Sequence, residues 1–335
     1  MNKFKIRNKI IGDYARPFII AEAGINHRGD FKTAEKMVEA AYQIGADAVT
    51  FQHIDAADFN VSKNNVEYWN RLRLTDSQMA SLFRSAKKKG LLVTACVINK
   101  PDLDLITSLR ADFIKIVSGD ITCHPFLKEC AKTGLPIFLS TGASELNDVK
   151  EAVRVITSAG NKKLTIYHTC TNYPTPPEEV NLNIIDLYKK EFNFPIGYCD
   201  HTEGDFIPLI AVSKGIVALE KHLTLDRSDK GPDYEVSLTP EEFKAMMVKI
   251  KLISLVKGEA KKYILKSEKN KYLNARRSIV AKTDIPRGTR IGERHLAYKR
   301  PGFGLQANRL GAILGKKSKM MLRANEYITK KKVEK

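Results

Sequence analysis

Residues 18–45 read FIIAEAGINHRGDFKTAEKMVEAAYQIG. A seven-residue apolar run opens the stretch and a polar turn follows. From Asp30 onward Ala34, Met37, Val38, Ala41 and Ile44 fall at helical spacing before Gly45, a residue suited to a helix C-cap. This is one strand–turn–helix unit, and the fold class depends on how often it recurs.

It recurs seven more times. The runs AVTFQHI from Ala48, LLVTACV from Leu91, FIKIVSG from Phe113, PIFLSTG from Pro136, LTIYHTC from Leu164, PIGYCDH from Pro195 and IVALEKHL from Ile216 each precede a helix-like stretch, with glycine stops recurring at Gly90, Gly134, Gly160 and Gly215. Eight near-continuously apolar strands, each followed by a helix, predict an α/β fold: a parallel (β/α)8 TIM barrel covered on its outer face. The rival is an open doubly wound sheet, which binds a nucleotide at a glycine-rich first turn; the loop EAGINHRGD lacks the GxGxxG spacing.

A barrel takes about 250 residues, so a 335-residue chain leaves room for an appendage. The last helical stretch, TPEEFKAMMVKIKLISLVKG, gives way to the charged and weakly patterned EAKKYILKSEKNKYLNA. From Ala275 short apolar pieces alternate with Gly and Pro. The pattern predicts a catalytic barrel over 1–258, a linker over 259–274 and a small β-rich domain over 275–335.

Hydrophobic residues at 43% and charged residues at 28% exclude a largely disordered chain. The five cysteines (Cys96, Cys123, Cys130, Cys170, Cys199) are odd in number, form no CxxC pair and mostly sit in apolar runs, which predicts free buried thiols and a cytoplasmic location. The N-terminal MNKFKIRNKIIGDYARP lacks an uninterrupted apolar segment, so neither a signal peptide, a spanning helix nor a membrane partner is expected. A formal charge of +18 suits nucleic acid, an anionic surface or an anionic small substrate alike. Lysine runs such as Lys87 to Lys89 and Lys330 to Lys332 have no interleaved aromatics and no helix-turn-helix pattern, which argues against nucleic acid.

In a parallel barrel the chemistry gathers where the strands end. The first run ends in Glu22, Asn26 and His27, the second in Gln52 and His53, and the fourth in Lys115, Ser118 and Asp120. Ser140-Thr141-Gly142 ends the fifth, and can serve either as a helix N-cap and turn or as a phosphate cradle. An ammonium at the end of an apolar strand needs a partner, an anion or a Schiff base. The seventh and eighth runs end in Cys199-Asp200-His201 and Glu220-Lys221-His222, one histidine on each of two neighbouring strands, a pattern suited to a divalent metal.

Taken in order, AEAGINHRGD at Ala21, KIVSGD at Lys115, LSTGAS at Leu139, YPTP at Tyr173, CDHT at Cys199, EKHLTLDR at Glu220, GPDYEVSL at Gly231 and KRPGFG at Lys299 resemble the sialic acid synthase family over nearly the whole chain. This family includes N-acetylneuraminate, legionaminate and pseudaminate synthases and spore-coat polysaccharide relatives. The resemblance implies a TIM barrel followed by a C-terminal antifreeze-like (SAF) domain. It also implies condensation of phosphoenolpyruvate with an N-acetylated sugar aldehyde, such as N-acetylmannosamine, to a nine-carbon 2-keto acid and phosphate. By the same resemblance His201 and His222 hold Mn2+, with Mg2+ or Co2+ as alternatives, and Glu22 is the acid-base or water-positioning carboxylate. Lys115, Ser118, Ser140 and Thr171 match phosphoenolpyruvate-binding positions, and Gln52, Tyr173 and Asp233 match positions near sugar or metal. Arg300 matches an arginine that reaches the sugar across a homodimer with swapped C-terminal domains.

Two departures stand out. The family's usual lysine in KFQ is Thr50 here, and its STPF is Ala95-Cys96-Val97-Ile98. A lost charge-assisted hydrogen bond is worth roughly 1.5–3 kcal/mol, so affinity or substrate identity is open; Arg71, Arg73 or His53 are candidate replacements for the charge. The competing functions are a Schiff-base aldolase using Lys115 and a non-catalytic sugar-binding protein of a surface-glycan pathway.

Overall fold

The computed structural model describes residues 3–12, 16–55 and 61–334. The chain divides into two compact units, Met1–Gly258 and Glu259–Lys335. The first begins with an antiparallel hairpin, β1 (Phe4–Ile6) and β2 (Lys9–Ile11). Eight parallel strands follow: β3 (Phe18–Gly24), β4 (Ala48–Gln52), β5 (Leu92–Val97), β6 (Ile114–Ile116), β7 (Ile137–Ser140), β8 (Leu164–His168), β9 (Ile196–Asp200) and β10 (Ala218–Leu223). Each pairs with the next, and β10 pairs back onto β3, closing the barrel. The two-residue β11 (Ser237–Leu238) extends the sheet beside His222 and Leu223.

Strand alternation sorts the side chains into two layers. Phe18, Ile20, Ala48, Leu92, Phe113, Phe138, Tyr167 and Cys199 fill the barrel, where the Phe18, Phe113, Phe138 and Tyr167 rings lie 4.9–6.2 Å apart. Ile6 and Ile11 of the hairpin join this cluster. The three-residue strands of that hairpin are too short to show a period in sequence. The alternate residues, among them Ile19, Val49, Val93, Ile114 and Leu139, face the helices.

The covering helices are α1 (Phe31–Gln43), α2 (Lys63–Leu72), α3 (Asp76–Lys88), α4 (Lys100–Ser108), α5 (His124–Lys132), α6 (Leu146–Ser158), α7 (Asn183–Glu191), α8 (Phe206–Ser213) and α9 (Pro240–Lys257). Their starts follow local chemistry. Asp30 accepts the Thr33 N–H at 2.8 Å to cap α1, and Thr239 with Glu242 forms a capping box ahead of Pro240 on α9. The predicted stripe of α1 is buried through Ala34, Met37, Val38 and Ala41.

The outward faces of β9 and β10 hold an unusual element for an apolar interface. Lys221 and Asp200 pair there with neither side chain exposed. Lys221 Nζ also donates to the Thr202 carbonyl at 2.6 Å, and the Thr202 hydroxyl donates to Asp200 Oδ1 at 2.9 Å.

In the second unit, the stretch expected as a linker, 259–274, is not featureless: it contains a 3-10 turn at Lys266–Glu268 and most of α10 (Lys269–Ala275). Beyond it β12 (Ser278–Ala281) and β13 (Leu296–Lys299) form an antiparallel pair. Much of the remaining β structure is isolated bridges, Val280 to Tyr327, Ile285 to Leu322, Arg290 to Lys317 and Ser318 to Val333 among them. A separate core of Ile279, Ile285, Ile291, Leu296, Ile313, Leu322 and Ile328 holds the unit together. All five thiols are free as expected, and three are buried, while Cys123 is exposed and Cys170 half-buried. No helix among the described residues is long and apolar enough to cross a membrane.

Removing one member of a buried ion pair strands the other charge and costs about 3–5 kcal/mol, whereas an apolar replacement of both is often neutral. Lys221→Ala is therefore expected to lose about that much in urea denaturation. The double variant Lys221→Met with Asp200→Leu should recover most of it.

Candidate active site

At the C-terminal ends of the strands a cavity of about 210 Å3 is lined by Glu22, Gln52, Lys115, Ser118, Ser140, Thr171, Tyr173, His201 and His222, joined by Cys96, Cys199 and Glu220. The expected site residues of the barrel are thus brought together, except that Asp233 stands just behind the wall. Arg300 belongs to the second unit, where it is exposed.

Glu22 is buried. Its carboxylate accepts from the Gly24 N–H at 2.6 Å and from the Thr50 hydroxyl, and Cys96 Sγ lies 4.0 Å away. Both sequence departures therefore flank this one carboxylate. Burial, with a further contribution from Glu220, raises its pKa from 4.5 to about 8.

Lys115 pairs with Glu220, lies 3.6 Å from Cys199 Sγ and sits 4.9 Å over the Tyr167 ring. Burial works against its charge, but Cys199 and Glu220 outweigh it and the pKa moves upward, so the amine stays an ammonium. Glu220 is a cavity residue to which the sequence reading gives no role. Its place two residues before His222 on the same strand, hence on the same face, was the available signal.

His201 is held in a form that exposes a lone pair. His201 Nδ1 bonds the Cys170 carbonyl, which leaves Nε2 as acceptor for the Tyr173 hydroxyl at 2.7 Å. The Tyr173 ring stacks on His201 with centroids 4.0 Å apart, and the His201 and His222 rings are 5.6 Å apart. His222 Nδ1 and Asp233 Oδ2 are 3.5 Å apart, both buried and both without a hydrogen-bond partner. Burial lowers the His201 pKa to about 4; burial and then His201 lower that of His222 well below the usual value, and burial raises Asp233 to about 6. Neutral imidazoles with orphaned polar atoms beside them fit a divalent cation. Among the described residues no set of three His, Cys, Asp or Glu donors converges, so a cation here takes the rest of its shell from water or substrate.

Asn26 secures the loop that carries Asp233. Its side-chain amide donates to the Leu223 carbonyl and to Ser237, while its oxygen accepts the Asp233 N–H at 3.2 Å. Gly24, at φ +53°, lets this loop approach: a Cβ there would stand 2.9 Å from Asp233 Oδ2. Opposite, the Gly142 N–H donates to Ser118 Oγ at 3.0 Å, and a Cβ on Gly142 would clash with Thr171 and Ser118. The hydroxyls of Ser118, Ser140 and Thr171 thereby form one polar rim.

The candidate replacement charges lie elsewhere. His53 is buried outside the cavity, with Nε2 3.1 Å from Asp76 and 3.2 Å from Arg73, which in turn pairs with Asp55. Arg71 Nε donates to the Glu67 carbonyl at 3.3 Å, and Arg71 is not among the described cavity lining. His27 is also buried outside it, accepting from the Gly29 N–H. Among the described lining residues, Lys115 is the one ammonium.

Comparison with known proteins agrees in both units. The NeuB family model matches residues 37–262 and the SAF domain model matches 276–334. The N,N'-diacetyllegionaminic acid synthase of Campylobacter jejuni is 36% identical over 330 residues, covering 93% of this chain and 99% of that protein. Human N-acetylneuraminate-9-phosphate synthase is 32% identical over 287 residues, 81% of this chain and 80% of that one. The crystal structure of the N-acetylneuraminic acid synthetase of Leptospira borgpetersenii superposes with a TM-score of 0.77 at 31% identity, covering 81% of this chain and 95% of that chain.

The buried Glu22 gives a pH signature in metal-free protein. Folded chain holds its proton up to about pH 8, while unfolded chain releases it near the ordinary 4.5, so folding is favoured below that window and the contribution is lost as pH rises through it. Glu22→Gln removes the dependence. Its stability advantage over the parent in urea should grow between about pH 5 and about pH 8; a constant difference contradicts the assignment.

Proposed function

The chain belongs to the NeuB family, and we propose that it condenses phosphoenolpyruvate with an N-acetylated sugar aldehyde to a nine-carbon 2-keto acid, releasing phosphate. One observation carries the proposal: a single strand-end cavity combines a proton-bearing carboxyl group, an ammonium, a hydroxyl rim and two neutral imidazoles. Legionaminic acid and N-acetylneuraminate-9-phosphate synthases among the relatives fix the reaction type.

His201 and His222 are the residues that hold a divalent ion, Mn2+ in this proposal. When bound, that ion supplies Lewis-acid polarisation of the aldehyde oxygen. The other roles belong to the chain. Lys115, Ser118, Ser140 and Thr171 bind the phosphate and carboxylate of phosphoenolpyruvate, with the ammonium held in place by Glu220. Gln52 and Tyr173 orient the sugar, and Asp233 orients His222. As carbon 3 of phosphoenolpyruvate forms its bond to the aldehyde carbon, Glu22 gives its proton to the aldehyde oxygen. The resulting carboxylate then takes a proton from the water that adds to carbon 2, and the tetrahedral carbon expels phosphate by C–O cleavage, its hydroxyl proton passing to the departing phosphate. A homodimer and a cytoplasmic location complete the proposal, the former tested by mass in solution.

The Schiff-base alternative requires a neutral amine. Lys115 is buried against Glu220 and remains protonated, which argues against that chemistry.

Phosphate release from phosphoenolpyruvate with Mn2+ is expected to depend on an N-acetylated or di-N-acetylated hexose and to stop with EDTA. Glu22→Gln should lower kcat by about a hundredfold or more while leaving metal uptake intact, and His222→Ala should abolish uptake. Release that ignores both sugar and chelator would sink the proposal.

A further inference from the structure

The positive charge of this chain is not spread over it. Residues 259–335 hold 22 of the 56 lysines and arginines but only 6 of the 38 acidic residues, so the second unit carries +16 of the formal +18 and the barrel is nearly neutral. Among the described residues that line the barrel's cavity Lys115 is the one ammonium, already paired with Glu220, so the barrel itself supplies little of this charge.

Within the second unit the charge is gathered by the fold. Three segments lie side by side. Arg290 bridges to Lys317 and Ser318 to Val333. The Ile291 N–H donates to the Lys316 carbonyl, and the Lys319 N–H to that of Lys332, both at 2.9 Å. Arg287, Arg290, Lys317, Lys319, Lys330 and Lys331 are all exposed. Among the described residues none of these six has a carboxylate within ion-pair distance; Lys332, beside them, is neutralised by Glu326. Concentrating like charge in this way is unfavourable for the folded unit by itself and is relieved by an anionic partner.

The apolar residues beside the cations select the kind of partner. Leu314, Met320 and Met321, which bracket the lysines of the segment LGKKSKMM, are 40–45% exposed. Base stacking needs aromatic platforms, and this segment offers flexible aliphatic and thioether side chains instead. Lysines flanked by exposed Leu and Met suit a surface that is anionic outside and apolar just beneath. We propose that this face of the C-terminal unit docks peripherally on an anionic lipid bilayer, adding a surface contact to the soluble synthase chemistry and requiring no spanning helix. The expectation of no membrane partner is thereby restricted to membrane spanning.

The test uses the full chain and sedimentation with large vesicles at about 0.15 M ionic strength, where weak charge contacts between exposed groups are screened. Co-sedimentation with phosphatidylglycerol-containing vesicles and not with pure phosphatidylcholine is expected. Combined Lys317→Gln, Lys319→Gln, Lys330→Gln and Lys331→Gln should weaken it by about tenfold or more. Met320→Ser with Met321→Ser should weaken it several-fold, with the thermal midpoint and the activity of both variants unchanged. Absence of co-sedimentation overturns the proposal. So does equal binding to duplex DNA or polyglutamate with no effect of the methionine changes, which would make the patch a general polyanion surface.

Discussion

Buried lysine–carboxylate pairing on both faces of β10, outward to β9 and inward to β6, is the constraint on which the site rests. Asp200 and Lys221 pair on the outward face, and Glu220, the residue before Lys221, pairs inward with Lys115. Buried charges tolerate little displacement, because each is costly without its partner. A one-residue slip of β10 against β9 would turn Lys221 into the cavity and Glu220 out of it. Two oppositely directed pairs on successive residues therefore fix the register, and with it the convergence of His201 and His222.

That register explains the electrostatics of the cavity. Glu220 is committed to Lys115, so Glu22 faces a second carboxylate and is held by the Thr50 hydroxyl and the Gly24 N–H, with Cys96 Sγ at 4.0 Å. The outcome is a carboxyl group that keeps its proton near neutrality. At the position where the resemblance leads to the expectation of a lysine, this chain has the Thr50 hydroxyl, which can support Glu22 in either protonation state. Two residues of the departures noted in sequence, Thr50 and Cys96, thus flank the group assigned to proton transfer.

The barrel was legible because its signal is repetition: eight near-continuous apolar runs, each followed by a helix with a period of 3.6, punctuated by glycines such as Gly45 and Gly90 at positive φ. Most of the cavity was legible too, since strand ends place polar residues in common. What could not be read depends on partners distant in sequence. Glu220 gains its meaning from Lys115, 105 residues away, and Asn26 from Asp233. His53 lay at a strand end and still points away from the cavity, as its phase relative to Gln52 requires. The hairpin at Phe4–Ile11 was missed because two three-residue strands carry no period, and α10 because its short helix buries little.

The central claim is that this cavity joins phosphoenolpyruvate to a sugar aldehyde with cleavage of the C–O bond. The most direct measurement is the fate of a heavy-oxygen label placed in the bridging C–O–P position of phosphoenolpyruvate during turnover with an N-acetylated hexose. The account predicts that the label leaves with inorganic phosphate and that the keto oxygen of the product comes from water. Label retained in the product means cleavage on the phosphorus side and contradicts it.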